Sequence, residues 1–255
     1  MEHDTEVSKL FPHALILAAG NGTRMRPLTG VVPKPLAPFN GSTLISQGVR
    51  MLRPWACNIF VTVGYMGDRL AKHVISLGAA GVFETSGNPN GWWIANTLLS
   101  YVDEPILVST CDNLYDIDFV KLHRDYRSAG SPACMIIPVK PEFGAGDRIE
   151  CDKQYINDIG PHLNQPLLAS GMQILRPASV ARLAAGATDF LSIWHRLILH
   201  QELYVSRVLP KQWAAVDTID DLIFTEKTWQ QSSTPLVQQE LQQLNRNDQA
   251  MTGVA

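Results

Sequence analysis

Between Val7 and Gly67 the chain contains no aspartate and no glutamate. Six basic residues occupy the same span: Lys9, Arg24, Arg26, Lys34, Arg50 and Arg53. Such a lopsided stretch suits a small polyanionic ligand, although surface lysines and arginines alone can produce it. The chain as a whole is not polarised. Its 255 residues carry a formal net charge of −3, which gives no general reason to expect a nucleic-acid or membrane partner. Long apolar runs are also missing: Ala14–Gly20 is apolar but far too short to span a membrane. Cysteine is scarce. Cys57, Cys111, Cys134 and Cys151 have no C-x-x-C spacing, so neither a zinc site nor a disulfide framework is expected. Three of them sit in apolar runs and are expected to be buried. A reducing cytoplasm fits this usage, and the acidic start Met1–Val7 argues against a secretory signal. No internal repeat is present.

What is there is ordinary in bulk, with 45% hydrophobic and 18% charged residues, the balance of a globular protein. Apolar strand-like runs alternate with amphipathic helical segments. Strands are expected at Ala14–Ala18, Asn58–Val63, Pro105–Ser109 and Ala133–Val139. Helices are expected at Leu44–Leu52, with Ser42 as N-cap, and at Asp68–Ser76, Trp92–Tyr101 and Phe119–Ala129. This alternation predicts an α/β fold with a doubly wound, mostly parallel mixed sheet of Rossmann-like type. The second half is less regular. Strands are expected around Arg148–Ile156, Leu168–Leu175, Leu203–Val208 and Trp213–Val216, with helices at Ala178–Ala184 and Asp189–His200. Residues 1–226 form one expected domain, with a nucleotide-binding half over about 12–140 and an acceptor-binding half over about 141–226. Residues 227–255 hold seven glutamines and read as a tail or docking helix.

The strongest local signal is L-A-A-G-N-G-T-R-M-R-P-L-T, residues 17–29, directly after the first strand. Glycines there allow backbone N–H groups to approach phosphate oxygens, and the basic residues add charge. Two better-known loops are excluded. In the G-x-G-x-x-G frame the sixth position is Met25, and no acid follows about 20 residues on. The pattern G-x-x-x-x-G-K-[ST] is absent. The loop continues into V-V-P-K-P-L-A-P, where Lys34 lies between two prolines and is expected to be rigid and extended.

A-L-I-L-A-A-G-N-G-T-R-M-R-P-L-T…P-K-P-L-A-P…G, residues 14–41, resembles the signature of the sugar-1-phosphate nucleotidyltransferases. The resemblance implies that a nucleoside triphosphate lies over Ala18, Ala19, Gly20, Asn21, Gly22 and Thr23. The phosphate of a sugar phosphate, or of a phospho-alcohol in some branches, would attack the α-phosphorus, and pyrophosphate would leave. Arg24 would meet the β- and γ-phosphates, and Lys34 the α-phosphate and the acceptor phosphate. S-T-C-D-N-L-Y-D, residues 109–116, is similar to the family's strand-end aspartate segment and implies Asp112 as a Mg²⁺ ligand. Asp116 and Asp118 read as the start of the next helix.

Mg²⁺ is commonly held by one or two carboxylates plus phosphates and waters, so a partner for Asp112 is needed. The sugar branch's W-x-D-x-G-T motif would place that acid on Ala215. Asp217 stands two residues later. Positions i and i+2 on a strand face the same side, so Asp217 is the expected second ligand. A-V-D-T-I-D-D-L, residues 215–222, resembles the choline-phosphate type cytidylyltransferases, lacking only their first acid. G-N-P-N-G-W-W-I-A-N, residues 87–96, resembles the same branch, so Asn88 and Asn96 are candidate contacts to base, ribose or acceptor, or simply turn and helix caps. The sugar branch's turn lysine has no counterpart in N-D-I-G-P-H-L, residues 157–163, which leaves Lys140, Arg148 or His162 to meet the acceptor. CTP or UTP is the expected nucleotide, and homo-oligomerisation is left open. A second reading, from the missing acid and the missing lysine, is a catalytically silent nucleotide-binding or regulatory module on the same fold.

Overall fold

The computed structural model describes residues 9–141 and 145–229; the expected tail from residue 230 onwards lies outside them. Strands are β1 (Phe11–Leu17), β2 (Pro38–Phe39), β3 (Ser42–Thr43), β4 (Ala56–Val63), β5 (Gly81–Glu84), β6 (Ile106–Thr110), β7 (Asn113–Asp116), β8 (Cys134–Val139), β9 (Arg148–Asp152), β10 (Tyr155–Gly160), β11 (Leu167–Leu175), β12 (Leu203–Val205) and β13 (Gln212–Ala215). Helices are α1 (Leu44–Leu52), α2 (Gly67–Ser76), α3 (Trp93–Asn96), α4 (Phe119–Ser128), α5 (Pro177–Leu183), α6 (Phe190–Leu199) and α7 (Ile219–Thr228).

Nine strands form one sheet in the order β5-β4-β1-β6-β11-β8-β12-β10-β9. Seven run the same way, and only β10 and β11 oppose them. The doubly wound, mostly parallel mixed sheet is therefore what the chain builds. The two expected halves interleave, because β11 lies between β6 and β8. Strand β1, interior to the sheet between β4 and β6, is buried on both faces, as interior parallel strands are. Its residues alternate between two cores: Ala14 and Ile16 pack on one face and Leu15 on the other.

Several local expectations shift. Thr43, not Ser42, caps α1, and its hydroxyl accepts from the Ser46 N–H at 3.3 Å; Ser42 is occupied in pairing with Phe39. The helix expected over Trp92–Tyr101 breaks at Thr97. That residue is extended, its hydroxyl donates to the Trp93 carbonyl at 2.8 Å and accepts from the Leu99 N–H, a local competitor to helical bonding. Asp118 caps α4 by accepting from the Lys121 N–H at 2.9 Å, but Asp116 ends β7 instead of starting the helix. The strand expected over Leu203–Val208 stops at Val205 because Ser206 and Arg207 turn to bind the buried Asp125. Of the cysteines, only Cys111 and Cys134 are buried; Cys151 is half-buried and Cys57 exposed.

A third apolar cluster positions the site. Met25, Ala37, Phe39 and Leu44 pack with Leu114, Val216 and Leu222. These residues come from four separated stretches of the chain. Each fully buried large side chain among them contributes roughly 1.5–3 kcal/mol. The cluster fastens the basic N-terminal loop to the two segments that carry Asp112 and Asp217.

Candidate active site

Strand β1 ends level with both neighbours: Leu17 pairs with Thr62 of β4 and Thr110 of β6. Beyond this carboxyl edge, where ligands bind in open α/β sheets, lies a cavity of about 480 Å³. Ala18 to Arg24, Lys34, Asn88, Asp112 and Asp217 all line it. Asn96 does not: it is exposed and its amide donates to the Trp92 carbonyl at 2.8 Å, the capping role open to it from the start.

The glycine-rich loop divides into anchors and a free arc. The Ala18 N–H is spent on the buried Thr62 hydroxyl at 2.9 Å. The Ala19 carbonyl accepts from the Tyr65 N–H at 3.2 Å. Among the described residues, none accepts from the backbone N–H of Gly20, Asn21 or Gly22. Three adjacent N–H groups of the cavity lining are thus without a protein acceptor, which is what an anion-binding loop needs. Gly22 has φ +59°, and a Cβ there would lie 2.7 Å from the Lys34 Cβ. Only glycine fits, in conformation and in space, and the loop rests directly on the stem of Lys34.

Lys34 is 8% exposed. It opens a 3-10 turn over Lys34–Leu36 instead of lying extended; Pro35 is tolerated because the first turn needs no N–H from it. Its Nζ donates to Asp112 Oδ2 at 2.6 Å and to Asp217 Oδ1 at 3.1 Å. Burial pulls the ammonium's pKa down, but Asp112 and then Asp217 outweigh it and hold the pKa above the ordinary lysine value. Arg24 Nη2 meets the same Asp217 Oδ1 at 2.7 Å from an exposed position. Beside them, burial pushes the Cys111 thiol up, so it stays protonated at neutral pH.

Two acids distant in sequence converge through backbone pairing. The Val216 N–H donates to the Asp112 carbonyl at 2.8 Å, and Ala215 pairs with Asn113 across the β7–β13 ribbon. Asp217 is not on the strand, which ends at Ala215, so the shared-face argument does not describe its reach. It sits at the turn into α7, where the Asp221 carboxylate accepts from the Asp217 and Thr218 N–H groups at 3.1 and 2.8 Å. Thr218 and Asp221 form a capping box that sets the approach of Asp217.

Mg²⁺ fits this donor set. Two carboxylates aim at one point, and a cationic group already sits there. Hard oxygen donors of this number, completed by phosphates and water, match the ion's usual site. Among the described residues no group of three or more His, Cys, Asp or Glu could hold a metal.

Residues that sequence reading missed are Thr62, Thr85, Asn90 and Trp93, all lining the cavity. Thr62 and Thr85 are buried polar residues at the ends of β4 and β5, a signal that strand-end threonines could have given. Asn90 accepts from the Phe190 N–H at 3.0 Å, which ties the cavity rim to the start of α6. The three acceptor candidates lie elsewhere. Lys140 and Arg148 line a second, open cavity of about 750 Å³. His162 pairs with Asp158 at 3.1 Å, and that hydrogen bond holds the Asp158 carboxyl below the usual range. No helix among the described residues is long and apolar enough to cross a membrane.

The family described as the MobA-like NTP transferase domain matches residues 14–197. The catalytic subunit beta of mannose-1-phosphate guanylyltransferase from Drosophila pseudoobscura pseudoobscura is 27% identical over 206 residues, covering 75% of this chain and 55% of that protein. Mannose-1-phosphate guanyltransferase beta-B of Xenopus laevis is 31% identical over 133 residues, covering 49% of this chain and 37% of that protein. The chain thus spans about half the length, or less, of these relatives. In fold it is similar to the inositol-1-phosphate CTP transferase of T. maritima, with TM-score 0.66, 19% identity, and 88% of this chain and 99% of that one covered. It is equally similar to a UDP-glucose pyrophosphorylase, with TM-score 0.67, 14% identity, and 85% and 97% covered.

Proposed function

We propose a reaction for this chain, which belongs to the MobA-like NTP transferase domain family: it joins a nucleoside triphosphate to a sugar 1-phosphate, giving an NDP-sugar and pyrophosphate. The observation that carries this is Lys34 Nζ at 2.6 Å from Asp112 and 3.1 Å from Asp217, under a glycine loop with three free N–H groups. A buried cation, two converged carboxylates and an anion cradle are what transfer at phosphorus requires.

An oxygen of the acceptor phosphate attacks the α-phosphorus, and the bond from that phosphorus to the bridging oxygen of pyrophosphate breaks. The acceptor is already ionised near neutral pH, so no general base is needed. Catalysis is then positioning and charge stabilisation. Gly20, Asn21 and Gly22 hold the triphosphate through their N–H groups. Arg24 turns to the leaving β- and γ-phosphates. Lys34 lies between the α-phosphate and the acceptor phosphate. Asp112 and Asp217 would hold Mg²⁺, which when bound neutralises charge on the α-phosphate.

The curated relatives bear mannose-1-phosphate in their names, and a sugar 1-phosphate is accordingly the first acceptor to try. For the base, the segment Ala215–Leu222 favours CTP or UTP, whereas the relatives' guanylyltransferase names favour GTP. A thermal-shift series with four triphosphates and Mg²⁺ separates these, because a ligand that binds only the folded state raises apparent stability. Pyrophosphate release with mannose 1-phosphate or glucose 1-phosphate tests the reaction itself. Triphosphate binding without pyrophosphate release from any phosphorylated acceptor would establish the silent-module reading instead. The reducing cysteine usage supports a cytoplasmic setting.

A further inference from the structure

We infer that Lys34 is the resident counter-cation of the carboxylate pair, and that a divalent cation enters between Asp112 and Asp217 only as the ammonium moves to a phosphate oxygen. This rests on reading the two aspartates as metal ligands.

Lys34 Nζ bridges Asp112 Oδ2 and Asp217 Oδ1, so it stands at the point on which both carboxylates converge. A metal ion and the ammonium cannot share that point. The lysine's stem is fixed: its Cβ and Cδ lie against Gly22, where an added Cβ would come within 2.7 and 3.5 Å of them. With the stem held there, Nζ leaves the carboxylates by rotation about the outer bonds of the side chain. Arg24, the second cation on Asp217, has a side chain 68% exposed and swings without such constraint.

The charges set the order. Two carboxylates and two cations cancel in the arrangement shown. A divalent ion arriving alone brings like charge against Lys34 and Arg24. A triphosphate arriving alone brings its charge against Asp112 and Asp217. Arriving together, each set finds opposite partners: the cations turn to phosphate and the carboxylates to metal. Metal and nucleotide binding are thereby coupled, and the coupling is reciprocal.

Mn²⁺ is the probe, followed by the spectroscopic signal of the free ion and by titration calorimetry. The wild-type chain without nucleotide is expected to show only weak Mn²⁺ binding. Addition of a non-reacting triphosphate analogue tightens it by about tenfold or more, within the usual range of coupling. Lys34→Met without nucleotide is expected to bind Mn²⁺ about tenfold or more tighter than wild type does, and Asp112→Asn with Asp217→Asn on that background removes the gain. Equal Mn²⁺ affinity in wild type and Lys34→Met overturns the inference. If Lys34→Met does not fold, Lys34→Gln takes its place, because a triphosphate chelates Mn²⁺ itself and wild-type coupling alone does not report on Lys34; Mn²⁺ affinity equal to wild type again overturns the inference. A chain that shows the exchange but releases no pyrophosphate overturns the proposed reaction and leaves this inference standing. A chain that releases pyrophosphate yet binds Mn²⁺ equally well without nucleotide overturns this inference alone.

Discussion

The charges at the carboxyl edge of β1 and β6 differ in kind from those at the end of β10. Around Lys34, four charged groups from three distant segments meet at 2.6 to 3.1 Å, with the lysine buried. Around Asp158, His162 approaches at 3.1 Å and His195 at 3.6 Å, all three with side chains 40% or more exposed. Desolvating a charge is costly unless it is paired. The first group therefore bears a cost that only a tightly specified arrangement offsets, and an apolar cluster from four stretches of the chain provides it. The second group is solvated, and exposed pairs contribute little. Burial with convergence, more than charge alone, separates the candidate reaction centre from a surface ion pair. Asp125 is the instructive third case. It is 6% exposed and accepts from the Ser206 hydroxyl, the Arg207 N–H and the Arg207 guanidinium, yet it does not line the cavity. Buried charge can also serve the fold.

The largest expected effect tests the reaction centre. Asp112→Asn and Asp217→Asn should each lower the kcat of pyrophosphate release by about 10²–10³ or more while the fold persists, the scale of losing one preorganised charge contact. Wild-type release from both variants would erase the distinction between the two regions.

Asp125→Ala should give the reverse pattern. Losing the acceptor of the buried Ser206 hydroxyl and the Arg207 N–H, with the Arg207 guanidinium itself exposed, is expected to cost about 1–3 kcal/mol of stability in urea unfolding, with kcat at low temperature close to wild type. A selective loss of kcat at unchanged stability would move Asp125 into the site.

The two loop glycines sharpen the comparison further. Gly22→Ala places a methyl 2.7 Å from Lys34 Cβ at φ +59°, which is expected to cost about 1–3 kcal/mol and to lower activity. Gly20 faces open space, with nothing within 4 Å of an added Cβ. Gly20→Ala should keep the melting temperature and raise the nucleotide KM. Equal melting temperatures for the two variants would count against the loop resting on Lys34.

The smallest effect belongs to His162→Ala, expected to change stability by less than about 0.5 kcal/mol near neutral pH. The sign of its pH dependence is set by Asp158. That carboxyl titrates lower when folded, so its small contribution is present above the ordinary value of about 3.9 and is lost as pH falls through the folded value. Urea midpoints of wild type and His162→Ala should converge in acid. A gap that widens instead would show a partner other than Asp158.

Much of this site was legible beforehand because its signals are local. The glycine loop, Lys34 between prolines and the strand-end Asp112 each depend on chemistry within a few residues. Asn96 misled for the same reason: its Asn-rich surroundings suit a ligand contact and a cap equally, and only its bond to the Trp92 carbonyl separates them. Thr62 and Thr85 went unread because a threonine in a strand is ordinary until the strand's end is known to face a cavity. The acceptor side stayed illegible because Lys140 and Arg148 line a separate open cavity and His162 pairs with Asp158, so none of the three lines the cavity that holds Asp112.

By itself the sequence determined the alternating α/β order, the glycine-rich turn after the first strand and the identity of the charged groups, since all three follow from periodicity, φ freedom and side-chain chemistry. Only the tertiary structure decided that Asp217, past the end of its strand, meets Asp112 at Lys34. That meeting depends on a ribbon pairing Ala215 with Asn113 and on Val216 buried against Met25 and Leu114. Contacts between residues about a hundred positions apart are fixed by packing, and no local pattern encodes them.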